Sequence, residues 1–127
     1  MLITPLTEEN FEKVTSKKGI LMIDCWAEWC GACQSFNPIF ESVAKKYSKH
    51  TFAKLDTVKE KQLVSKLGIE HIPTLMLYRD GILIFQQPGY YEEEKLEDII
   101  QQAENLDMDE VRAHIAEESN KDDMTKD

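Results

Sequence analysis

Ile20-Leu21-Met22-Ile23, followed by Asp24-Cys25 and then Trp26-Ala27-Glu28-Trp29-Cys30-Gly31-Ala32-Cys33, is the stretch from which the fold is read. Four consecutive apolar residues suit a strand covered on both faces. From Cys33 onward, Phe36, Ile39, Phe40, Val43, Ala44 and Tyr47 recur at helical spacing, one stripe over three turns. The two cysteines therefore fall at a strand-to-helix junction. Pro38 lies inside that helix, where a proline is expected to kink it.

Working outward, Thr7 is expected to cap a helix carrying Phe11 and Val14, which Lys17-Lys18-Gly19 ends. Phe52 to Leu55 reads as the next strand. Thr57 and Glu60 have capping-box spacing, Leu63, Val64 and Leu67 face inward, and Gly68 stops the helix. Thr74 to Tyr78 and Ile82 to Phe85 are strands around Asp80-Gly81, a hairpin signal. Leu96, Ile99, Ile100 and Ala103 mark a last amphipathic helix. The order is strand, helix, strand, helix, strand, helix, strand, strand, helix. Right-handed crossovers make the first part parallel and the hairpin adds an antiparallel pair, so a mixed sheet with helices on both faces is expected.

Composition excludes several classes. The chain has 127 residues, is 42% hydrophobic and 31% charged, and carries a net charge of −9. That suits one soluble domain. The acidity argues against binding a phosphate backbone. No apolar run approaches the roughly 20 residues of a membrane helix. The start, Met1-Leu2-Ile3-Thr4-Pro5, lacks the pattern of a secretory signal, so a cytoplasmic location is expected. Residues 1–103 hold 15 acids and 12 bases, whereas residues 104–127 hold 9 and 3. Most of the acidity lies in an extension, 107–127. There Asp107 and Glu110 have capping spacing, Met108, Val111 and Ile115 form a weak stripe, and a polar, disordered tail is expected to follow a short helix. A solvated helix and a docking helix are both compatible with that pattern.

Cys30 and Cys33 carry the chemistry. Two intervening residues at a helix start bring both sulfurs within disulfide reach. The first sulfur sits at the positive end of the helix dipole, among free backbone N–H groups, which favours a thiolate. The second lies one turn in, more buried, and stays protonated longer. An exposed thiolate that attacks a disulfide, backed by a thiol that resolves the mixed disulfide, is what dithiol exchange requires. The other reading is half a zinc site. It lacks a second ligand pair, because His50, His71 and His114 are scattered singly. No metal is expected.

The run Asp24 to Cys33, then Pro38, Ala53-Lys54-Leu55, Ile72-Pro73-Thr74 and Gly89 resembles the thioredoxin family in order and rough spacing, over about residues 2 to 106. The resemblance implies a five-stranded mixed sheet flanked by about four helices for a domain of residues 1–106. It implies reduction of protein disulfides by Cys30, with Cys33 resolving. It implies a monomer with no bound cofactor, recycled by a flavin-dependent thioredoxin reductase. It makes Asp24 a buried carboxylate that relays a proton for Cys33, with Lys54 as its partner. Read without it, Asp24 is a paired charge at a strand end and Lys54 an exposed lysine.

The resemblance further makes Pro73 a cis-proline that turns the backbone of Ile72 outward for an extended substrate. Trp29, Gly31, Ala32, Ile72, Gly89 and Tyr90 become the apolar rim around Cys30, with Trp26 packed beneath. Partial core burial is the other reading of Trp29 and Tyr90. Four positions depart from the family pattern. Ala32 replaces the usual proline, which points to a more oxidising couple and lends weight to the alternative of a disulfide oxidant or isomerase. Gln34 replaces a common lysine, and His71 stands where small residues are frequent, near the rim. Cys25 replaces a bulky apolar residue and reads as an inert buried thiol. A non-enzymatic binding module acting through the extension is the remaining alternative.

Overall fold

The computed structural model describes residues 2 to 124. Five strands, β1 (Thr4–Pro5), β2 (Ile20–Trp26), β3 (Thr51–Asp56), β4 (Thr74–Arg79) and β5 (Ile82–Pro88), form one sheet in the order β1-β3-β2-β4-β5. β1, β3 and β2 run parallel, and β4 is antiparallel to both β2 and β5. The helices are α1 (Phe11–Thr15), α2 (Gly31–Lys46), α3 (Lys61–Leu67), α4 (Glu93–Glu104) and α5 (Met108–Met124). This is the expected α/β mixed sheet. The leading strand is only two residues long.

Alternation along the central strand divides the core in two. Ile20 and Met22 pack with Phe36, Phe40, Phe52, Leu75, Leu77 and Ile100, on the side of α2 and α4. Leu21, Ile23 and Cys25 pack with Val14, Leu55, Leu63 and Met76, on the side of α1 and α3. A central strand of a sheet covered on both faces must be apolar throughout, which is why Ile20–Ile23 shows no polar alternation. Asp24 continues the even-numbered series and so belongs to the α2 side.

The hairpin joining β4 to β5 is a two-residue turn with φ of 53° at Asp80 and 83° at Gly81. Positive φ at both central positions matches the twist of paired strands, and Asp-Gly meets it at low steric cost. The Asp80 carboxylate also accepts a hydrogen bond from the Gly19 amide at 2.8 Å. This ties the turn to the loop that enters β2.

Three local expectations need correction. Thr7 does not cap α1. It exchanges hydrogen bonds with Asn10, the residue at the N-cap. Thr57 and Glu60 form no capping box: the Thr57 hydroxyl donates to the Trp26 carbonyl, and Asp56 accepts from the amides of Val58 and Lys59. A tertiary partner there outcompetes the local pairing. In the extension, Asp107 does accept from the amides of Asp109 and Glu110. The helix it opens, however, runs to Met124 instead of fraying after a few turns. The segment contains no glycine or proline, and Asp109–Arg112 and His114–Glu118 are spaced for helical pairing. The end of the expected disordered tail, 125–127, lies outside the described residues. No helix among the described residues is long and apolar enough to cross a membrane.

Candidate active site

α2 positions the cysteine pair. Cys30 is its N-cap, in an extended conformation that turns the chain from the loop after β2 into the helix. Its Sγ accepts a hydrogen bond from the Cys33 amide at 3.1 Å. That amide is one of the first four N–H groups of the helix, which have no partner within it. No acidic residue occupies the first turn of α2, so no carboxylate within that turn offsets the positive helix end. Cys30 and Cys33 are joined as a disulfide with their Cα atoms 5.2 Å apart. Both residues are buried, Cys30 at 6% exposed and Cys33 at 2%, so the expected exposure of the first cysteine is present only as a small difference. Both pack with Ala27, Trp26 and Ile72.

Several of the expected rim residues lie around the end of β2 and the start of β4. Trp29, immediately before Cys30, is 75% exposed, an unusual position for a residue that dominates cores when buried. Gly31 and Ala32 are exposed on the first turn of α2. The Ile72-Pro73 peptide bond is cis, with Pro73 buried and Ile72 half-buried. Gly89 donates its amide to the Pro73 carbonyl at 2.8 Å and has φ of 127°, a conformation that favours glycine. A Cβ there would meet nothing within 4 Å, so the requirement comes from the backbone and not from space. Tyr90 is 42% exposed and packs edge-on against Phe36 of α2. His71 is exposed, and its carbonyl accepts from the Thr74 hydroxyl.

On β2, on the sheet face that α2 covers, Asp24 is fully buried and neither carboxylate oxygen has a hydrogen-bond partner among the described residues. Burial pushes its pKa from 3.8 up to about 7, while the Lys54 ammonium pulls it part of the way back. Asp24 and Lys54 are register partners on β2 and β3. Cys25 is also buried and its thiol is pushed up, first by burial and then by the Asp24 charge. It points to the α1 and α3 side, away from the cysteine pair.

Two contacts near the pair leave no trace in sequence patterning. Gln34 registered only as a missing lysine, yet its side-chain amide donates to the Glu28 carbonyl at 2.8 Å and braces the loop that presents Trp29. Trp26 registered only as packing, yet the Lys54 Nζ lies 5.4 Å from its ring centroid. Neither carries a local signal, because each depends on how the chain returns.

A pair of cysteines separated by two residues at a helix start, beyond the end of the central strand of a mixed sheet of this order, is the arrangement of thiol–disulfide oxidoreductases. Known proteins of like sequence and shape agree. The family profile described as Thioredoxin matches residues 2–102, and the chain belongs to the thioredoxin family. It is similar to a putative thioredoxin 2 of Streptomyces coelicolor, with 44% identity over 89% of this chain and 84% of that one. It is similar to a thioredoxin of Alicyclobacillus acidocaldarius, with 37% identity over 72% of this chain and 89% of that one. Among solved structures, a mutant thioredoxin from Halobacterium salinarum superposes with a TM-score of 0.73 at 31% identity, covering 82% of this chain and 94% of that one. The profile ends at residue 102, whereas the Streptomyces match spans 113 residues, so the likeness continues beyond α4.

Proposed function

We propose that this thiol–disulfide oxidoreductase works as a cytoplasmic, monomeric reductant of disulfides in protein substrates. The reduced form holds Cys30 as a thiolate at the α2 N-terminus. It attacks one sulfur of the substrate disulfide, forming the Cys30–substrate bond and releasing the other substrate sulfur as a thiolate, which takes a proton from solvent. Asp24 accepts the Cys33 proton through water. The Cys33 thiolate then attacks the Cys30 sulfur, the second substrate thiolate leaves, and Cys30–Cys33 is left oxidised. The two electrons have passed from the pair to the substrate. A flavin-dependent thioredoxin reductase returns them, and no bound cofactor is needed.

The observation that carries this reading is the Cys30–Cys33 pair at the N-terminus of α2, with a carboxyl on the sheet face covered by α2 whose pKa burial raises to about 7. A base is most useful when its pKa lies near the working pH. Ile72, Gly89 and the exposed indole of Trp29 suit the docking of an extended protein segment, with Ile72 supplying backbone pairing. The test is capture with Cys33→Ser. Without a resolving thiol, Cys30 should accumulate as a mixed disulfide with a disulfide-containing protein, and Cys30→Ser should trap none. Equal trapping by both variants, or by neither, would refute the assignment.

A further inference from the structure

Asp24, Trp26, Lys54 and Asp56 share one face of the sheet. Lys54 stands opposite Asp24 and Asp56 opposite Trp26 in the parallel β2–β3 register. Neighbours in that register lie within about 5 Å, close enough for an ion pair to form. None does: both Asp24 oxygens lack a partner, and the Lys54 Nζ lies over the Trp26 ring at 5.4 Å from its centroid. An ammonium within about 6 Å of an indole face is drawn to the negative face of the ring. Trp26 and Lys54 also line a surface cleft with Glu41 of α2, Asp56, and Lys59 and Glu60 before α3. β4 places only Leu75 opposite Asp24. Cys33 heads the buried α2 stripe on the same side.

We propose that Trp26 is a positioning residue: its indole face holds the Lys54 ammonium short of an ion pair with Asp24 and so governs how strongly that ammonium acts on the carboxyl. The proposal rests on the reading of Asp24 as the proton acceptor for Cys33. An ammonium docked directly on the carboxylate would lower its pKa by about 1 to 3. Asp24 would then stay ionised at neutral pH and hold a captured proton poorly. With the ammonium parked on the ring, the positive charge remains close enough to moderate the cost of burial without abolishing the carboxyl's ability to take a proton.

The test is the titration of the Asp24 carboxyl carbon by NMR in the oxidised protein, a readout that needs no turnover. Trp26→Leu should move the Asp24 pKa down by about 1 or more, as expected for a new ion pair. Trp26→Phe, which keeps a ring face, should leave it near the parent value. Trp26→Leu also admits water, so the decisive comparison is made in the Lys54→Gln background, where the same substitution should have little effect. An equal fall in both backgrounds, or no fall in either, overturns the proposal. If Trp26→Leu does not fold, fluorinated tryptophan keeps the shape and weakens the ring face, and Asp24 should titrate lower with each added fluorine. A constant titration across that series also overturns it. If Asp24 titrates as expected across the variants while the pH profile of mixed-disulfide resolution stays fixed, the positioning role stands and the proton-acceptor reading fails.

Discussion

Asp24 and Cys25 are neighbours in the chain and point to opposite faces of the sheet. The carboxyl lies on the α2 side and the thiol is buried among Leu55, Leu63 and Met76 on the α1 and α3 side. One peptide step thus separates a buried carboxyl on one face from a buried thiol on the other. Strand alternation, not distance along the sequence, decides which side chain faces α2, the helix that carries Cys30 and Cys33.

The cost of burying Asp24 is a function of pH. Its pKa is about 7 in the fold against 3.8 for a free carboxyl. Between those values the folded protein binds more protons than the unfolded chain. The stability linked to this group is therefore full below about 4, declines as pH rises, and is lost above about 7. The gap corresponds to roughly 4 kcal/mol. Asp24→Asn should be more stable than the parent at pH 8, with the difference shrinking towards pH 4. Urea unfolding of both oxidised proteins across that range checks it. A difference that grows as pH falls would have the wrong sign.

Cys25 should be chemically silent. With its thiol pushed up by burial, alkylating reagents should label it only after unfolding, whether the Cys30–Cys33 pair is oxidised or reduced. Cys25→Ala should cost about 1 to 2 kcal/mol through the small cavity it leaves. The rate of disulfide exchange should not change. Mass spectrometry after native and denaturing alkylation reads the first outcome, and stopped-flow exchange reads the last.

Arg79 at the end of β4 donates to the carbonyls of Ala103, Glu104 and Leu106, at the C-terminal end of α4 and just beyond. The Ala103 and Glu104 carbonyls belong to the set a helix cannot satisfy internally. Arg79→Ala should destabilise the fold by about 1.5 to 3 kcal/mol, the range for hydrogen bonds to a charged group. The site lies at the far end of the sheet from Cys30, so the reduction potential should hold steady. Denaturant midpoints and redox equilibration measure the two effects separately.

Asp107 opens α5 by accepting from the amides of Asp109 and Glu110. Asp107→Ala should weaken that helix by about 1 kcal/mol. Hydrogen exchange should then quicken within α5 while amides in β2 and β4 keep their protection. Uniform loss of protection would instead mean that α5 is integral to the whole domain.

The most local features were the most legible. The apolar run of β2, the period of α2, the Asp80-Gly81 turn and the Asp107 cap each rest on contacts between near neighbours in sequence. So does the cysteine pair, whose asymmetry follows from its place at a helix start. β1 gives almost no signal, because two residues suffice to pair Thr4 with Ala53 and Pro5 with Lys54. Thr57 has the spacing of a cap, yet its hydroxyl reaches the Trp26 carbonyl on another strand. The contact of Lys54 with Trp26 is hidden for the same reason, since only the parallel register brings them together. Family resemblance supplied what periodicity did not, namely the cis bond before Pro73 and attention to Asp24.

The central claim, that the pair serves as a reductant, is tested most directly by the Cys30–Cys33 reduction potential in defined glutathione or dithiothreitol buffers. Thioredoxin provides a reference of about −270 mV. A reductant should show a potential close to that reference, displaced modestly to the oxidising side by Ala32 in place of proline. A potential close to −120 mV, typical of a strong disulfide oxidant, would contradict it.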